Sequence, residues 1–367
     1  MKKELKEKRD LRLDIIRIFS LFCVVSVHFF LNSGYYNEIM AGKAMIIMTI
    51  VRSFFIVCVP MFIVLTGYLM NKKELSKSYY KGIIRTLSIY FICSIVFHIF
   101  IHFYSDTSLT IKSFIKDLLS FDGTSYSWYI EMYIGLFLLI PFFNLIINNF
   151  KSQKDFKILL VTLLFLIGIP NVLNIIKFYS PNWIKNPDVK VLKLFPAWWA
   201  SIYPVFYYFL GAYIYKYKDN ISKYKNIILL IIIVFISGLL NYFVSHDKAF
   251  IWSTFNQYGS FLVMMKTYLV FSLLLQIKVE YSKGKEKFLK TISNACLGAY
   301  LISCIFDKIY YDILCSKIIN VKDRFLYAPL MVILVFVSSI ILALIIDFIY
   351  DRILYVVRMM KGDKNEK

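Results

Sequence analysis

The chain has 367 residues, of which 59% are hydrophobic and only 18% charged, and its mean hydropathy is +0.65. A soluble domain is about half apolar and about a quarter charged, so a single water-soluble globule is excluded. The net charge of +20 could suit nucleic acid, but Lys and Arg gather in short loops between apolar runs. That distribution sets membrane topology and suits anionic lipid headgroups, so membrane lipids are expected partners and nucleic acid is not.

The apolar runs are about 20 residues long, enough to cross a hydrocarbon core roughly 30 Å thick. Backbone polar groups in lipid must be satisfied internally, which leaves helices or closed barrels. These runs are continuous rather than alternating, so an all-α polytopic bundle of about ten transmembrane helices is expected. In chain order the predicted spans are 13–33, 44–70, 83–104, 128–148, 157–178, 196–216, 226–245, 255–277, 291–313 and 325–350. The second is long enough to be tilted or broken and contains Pro60. The first lacks a small-residue cleavage site and reads as a retained span.

The predicted organisation is a basic N-terminus at 1–12, a membrane domain at 13–355 and a basic tail at 356–367. No appended soluble domain is expected. Strongly basic loops, such as the one holding Lys72, Lys73, Lys77, Lys81 and Arg85, alternate with weakly or mixed-charge ones. The positive-inside rule therefore places both termini in the cytoplasm. Richness in Ile, Lys, Asn and Phe suits an AT-rich bacterial genome, and hence a bacterial cytoplasmic membrane. The six cysteines mostly lie in apolar runs without a Cys-x-x-Cys pair, and read as small core hydrophobes.

Ionisable groups inside spans are costly and mark functional candidates. The first span holds Asp14, Arg17 and His28. Arg17 and His28 are eleven residues apart, which puts them roughly 20° from a common helix face with a rise of roughly 16.5 Å. Asp14 lies one turn before Arg17, where it can hold the guanidinium. Interfacial anchoring is the competing role for Arg12, Asp14 and Arg17, and a structural hydrogen bond is the competing role for His28.

An Arg-x10-His pair preceded by Leu-Asp-x-x-Arg resembles the membrane-bound acyltransferase-3 family. Four further blocks support the resemblance: Val59 to Leu69 with Thr66-Gly67-Tyr68, Trp128-Tyr129 through Pro141, Phe209-Leu210-Gly211-Ala212-Tyr213, and Gly298-Ala299-Tyr300-Leu301-Ile302. They follow one another in order from residue 12 to 302. Where the family often has Arg-x-x-Arg after the second span, this chain has Lys81 ahead of Arg85, and Ser303 stands where a His often ends the late block. The family's trailing hydrolase-like module has no counterpart here, so a two-module relay is not expected.

The resemblance implies an enzyme that transfers an acyl group, usually acetyl, from cytoplasmic acetyl-CoA to a hydroxyl of an envelope polysaccharide or lipid-linked sugar. It implies His28, Arg17 and Asp14 as the catalytic group, and Arg85, Lys81 and Arg17 as donor-binding residues, with no metal. His28 would serve as general base or transient acyl carrier, since imidazole titrates near neutral pH.

His98, His102 and Asp106, spaced by four, offer a metal reading that interfacial polarity explains as well. Glu131 could face the acceptor or simply lie exposed, and Asp307 and Lys308 could line a polar path. A transporter or flippase using the same bundle is the alternative function, although no internal repeat supports it. A structural role in an assembly complex is the third. The sequence does not set the oligomeric state.

Overall fold

A computed structural model describes residues 9–106, 108, 110–170, 196, 198–217, 222–252 and 254–360. Residues 1–8 and 361–367, at the ends of the predicted N-terminal segment and tail, lie outside them. So does the 171–178 end of the predicted fifth span.

The described residues are helical, with no strand among them and one isolated bridge, Met40 to His246. The helices are α1 (Leu11–Asn32), α2 (Gly42–Phe55), α3 (Cys58–Met70), α4 (Lys77–Lys81), α5 (Ile83–Ser105), α6 (Ile111–Leu119) and α7 (Trp128–Asn149). They continue with α8 (Gln153–Ile167), α9 (Tyr203–Tyr217), α10 (Lys223–Ser245), α11 (Phe261–Leu275), α12 (Lys283–Lys317), α13 (Val321–Arg324) and α14 (Ala328–Met360). Seven helices or abutting helix pairs among them are long and apolar enough to cross a membrane.

The remaining three predicted spans correspond to α8, α9 and α11, each 15 residues long. Such a helix rises only about 22 Å. The count of about ten is therefore approximate: hydropathy measures apolar length, and in these three stretches the described helix is shorter than the apolar run.

The long second run is broken, as its length and proline allow. Pro60 offers no N–H to the carbonyl of Ile56, and its ring collides with that carbonyl, so α2 stops at Phe55 and α3 starts at Cys58. At the other extreme, α12 runs for 35 residues from its cap, where the Ser282 hydroxyl accepts the N–H of Lys285.

Helix α1 is central. Its apolar window is 67% buried, against 22% for the α4–α5 pair, which therefore faces outward. α1 packs against α12, α3 and α14, and α12 packs along α14. α3 crosses α9 where Gly67 and Gly211 bring the two backbones together. A Cβ on Gly67 would lie 2.0 Å from the Tyr208 carbonyl oxygen, and one on Gly211 2.0 Å from that of Val64. Asn144 of α7 ties this crossing down by donating to Met70 and Lys73 carbonyls and accepting from the Tyr208 hydroxyl.

Five of the six cysteines are buried and all are free thiols, consistent with their reading as small core residues.

Candidate active site

At the N-terminal end of α1, Asp10 caps the helix by accepting the N–H of Arg12 at 3.1 Å. Arg12 returns two side-chain hydrogen bonds to the same carboxylate, and they hold it below the usual carboxylate range. Asp14 departs from the expected pairing. Arg9 grips it bidentately at 2.6 and 2.7 Å, while Arg17 donates to the Ser293 hydroxyl of α12 at 2.7 Å. Helical spacing points to Arg17; the Arg9 fork, reaching back from the chain ahead of the helix, makes the direct ion pair, while Arg17 acts on the carboxylate at longer range and shares Ser293 with it.

Arg17 and Arg85 line one cavity of about 350 Å³, together with Thr86, Tyr129, Tyr133 and Ser293. Its deeper wall is apolar, built from Val24, Phe62, Leu65 and Leu297. Arg85 also lies 3.2 Å from Asp347 of α14. Lys81 ends the short helix α4 on exposed surface and does not line this cavity. A basic mouth with an apolar interior is therefore formed by two guanidinium groups, without the lysine expected beside them.

Eleven residues further along α1, His28 lines a second cavity of about 540 Å³. Its ring lies against that of Tyr126, tilted by 31° with centroids 3.9 Å apart. Its Nδ1 lies 3.3 Å from Oδ2 of Asp307, within ion-pair range but off the hydrogen-bonding direction. The Tyr126 hydroxyl donates to that same Asp307 oxygen at 2.6 Å, and Asn32 donates to the Tyr126 hydroxyl and to the His28 carbonyl. Asp307 is 2% exposed, so His28 faces a buried carboxylate held in place from a third element. With Nδ1 turned to Asp307, the other ring nitrogen is the one left for a substrate.

Ser293, Tyr300 and Asp307 recur every seven residues along α12 and so share one face. Arg17 meets the first and His28 faces the last, so α1 and α12 run parallel. Tyr300 lies between them, donating to the Tyr126 carbonyl at 2.7 Å. Tyr300, Val24 and Val59 line both cavities, which therefore adjoin. Trp128 faces the His28 cavity and Tyr129 the Arg17 cavity, so that sequence block straddles the junction.

The other candidates lie elsewhere. His98 engages the Ser94 carbonyl at 2.9 Å and Asp117 at 3.2 Å, and no group of three metal-ligating residues assembles among the described residues. Glu131 is exposed.

Asp307 invites a direct test. Asp307→Asn keeps the shape but removes the charge, and is expected to lower turnover on the order of 10²-fold while leaving substrate KM unchanged. Steady-state kinetics with purified protein would measure both, and undiminished turnover would release Asp307 from any part in the chemistry.

A family model described as an acyltransferase domain, that of the acyltransferase-3 family, matches residues 10–347. No curated protein and no solved structure matches the chain. The match spans both cavities, α1 from its cap onward and nearly all of the bundle: the chain belongs to the acyltransferase-3 family and is a membrane acyltransferase for groups other than amino-acyl groups.

Proposed function

We propose that the protein is an O-acyltransferase, with acetyl as the first group to test. It would move that group from cytoplasmic acetyl-CoA to a hydroxyl of an envelope polysaccharide or lipid-linked sugar precursor. The setting is a bacterial cytoplasmic membrane with both termini on the cytoplasmic side. One observation carries the reading: a cavity with two guanidinium groups at its mouth adjoins a cavity holding an imidazole beside a buried carboxylate.

The smaller cavity is within the range of small-molecule sites and suits a pantetheine arm better than a whole nucleotide. The phosphates would stay at the mouth, against Arg17, Arg85 and the basic loop that precedes Arg85. The thioester would then reach the shared wall of Val24, Val59 and Tyr300. From the other cavity the acceptor hydroxyl attacks the thioester carbonyl. His28 takes the hydroxyl proton as the C–O bond forms and the C–S bond breaks, then returns it to the departing CoA thiolate. The Asp307 carboxylate, 3.3 Å from Nδ1, stabilises the transient imidazolium by its charge. Asp14, bound by Arg9, serves as an anchor of the α1 entrance rather than in the transfer itself.

The test is transfer of labelled acetyl from acetyl-CoA to a lipid-linked sugar by purified protein in nanodiscs. It is paired with the O-acetyl content of envelope glycan from cells with and without the gene. Absence of product in both settings would refute the reading. Within it, Arg17→Lys keeps charge but loses the planar fork. Losing one charge-assisted hydrogen bond, at about 1.4 kcal/mol, should raise the KM for acetyl-CoA about tenfold; an unchanged KM would show that charge alone suffices.

A further inference from the structure

Arg52 lies in the last turn of α2, just before the break above Pro60, and is 1% exposed. Its Nε donates to the Tyr36 hydroxyl at 2.8 Å. Its guanidinium carbon lies 4.7 Å from the Phe250 ring centroid and 5.3 Å from those of Tyr36 and Trp252. These rings come from two loops tied by backbone hydrogen bonds, Phe250 to Tyr36 at 3.2 Å and Met40 to Lys248 at 2.9 Å. The cage is therefore a built feature at the end of the bundle where α1 finishes.

Aromatic faces attract the cation but offer the N–H edges no acceptor. Nη1 and Nη2 are buried, and neither has a hydrogen-bond partner among the described residues. Arg52 lines the same cavity as His28. A second buried basic side chain, Lys266 of α11, donates to the Ser53 carbonyl and to the Ser53 and Ser237 hydroxyls. Among the described residues no carboxylate pairs with Arg52.

A buried charge without a counter-ion is strongly unfavourable, and a guanidinium with both NH2 ends free matches the paired oxygens of a carboxylate or phosphate. We infer that Arg52 is an anion subsite of the His28 cavity and that the acyl acceptor carries a carboxylate or phosphate beside the sugar hydroxyl that is acylated. The inference rests on the reading of that cavity as the acceptor side. It narrows the acceptor class to acidic sugars or sugar phosphates, whose rings can lie against Trp128 or Trp252 on the cavity wall.

The test is binding to the full-length protein in nanodiscs, followed by saturation-transfer NMR, with glucuronate, glucose 1-phosphate and glucose as probes. The wild type should prefer at least one anionic probe to glucose by about tenfold or more, and the probe preferred tells carboxylate from phosphate. Arg52→Lys should weaken that preference and Arg52→Gln should remove it. Equal affinity of the wild type for all three probes overturns the subsite, whatever the variants do, as does a preference that survives in Arg52→Gln. Anion binding lost in Arg52→Gln supports the subsite even where no glycan is acylated, a result that counts against the transfer reaction alone. Conversely, wild-type rates of acylation on an acidic glycan by Arg52→Gln overturn the subsite and leave the transfer reaction standing.

Discussion

Replacing His28 by Ala should abolish O-acylation while leaving the protein folded and in the membrane. Among the described residues that line the larger cavity His28 is the only histidine, and general-base catalysis contributes about 10²–10⁴-fold. Loss of the ring also removes what lies against Tyr126 and leaves Asp307 facing an empty space, so folding needs its own measurement. A monodisperse elution profile and an unfolding temperature within a few degrees of wild type would establish it. Glycan from cells carrying the variant should then lack the acyl group. Normal product would remove His28 from the mechanism, and with it the role given to Asp307. His28→Gln adds a useful contrast: it retains polar contact but cannot take up a proton in this way, so it should be as inactive as the alanine form.

The stripe joining Arg17 and His28 was legible because a single helix fixes it: eleven residues return to nearly the same face at any depth. Their partners were not, because they come from α12, and nothing local ties Asp307 to His28. The seven-residue recurrence of Ser293, Tyr300 and Asp307 is visible in the sequence, but its meaning depends on knowing that α12 packs parallel to α1. Asp14 misled for the opposite reason. Its spacing to Arg17 is correct for a helical pair, yet Arg9, outside the helix and free of its geometry, reaches the carboxylate first.

Arg52 and Lys266 carried a signal that went unused. Both lie within strongly apolar runs, where any cation warrants a partner or a role. The three short helices show the limit of hydropathy as a ruler. It sums apolar content along the chain, whereas the described helices α8, α9 and α11 hold 15 residues each.

Gly211→Val should cost the protein its folded state. A Cβ at this position would lie 2.0 Å from the Val64 carbonyl oxygen and 2.8 Å from the Tyr68 nitrogen. Both are backbone atoms, so no rotamer change relieves the clash and the two helices must separate. Overpacking a tight contact costs about 1–3 kcal/mol even where side chains can yield; with backbone on the other side, the cost should exceed that range. The damage would extend to function, because α3 supplies Val59 to both cavities and Phe62, Leu65 and Thr66 to the smaller one. Gly67→Val should behave alike, since its Cβ would meet the Tyr208 carbonyl. Gly135 supplies the control: it sits within α7 in another of the recurring family blocks, but nothing lies within 4 Å of a Cβ there. Gly135→Ala should be neutral or slightly stabilising, because alanine is the better helix former. Size-exclusion profiles and unfolding temperatures of the three variants test this. If Gly211→Val stays monodisperse with an unchanged unfolding temperature, the close crossing of α3 and α9 is wrong, and with it the wall that both cavities share.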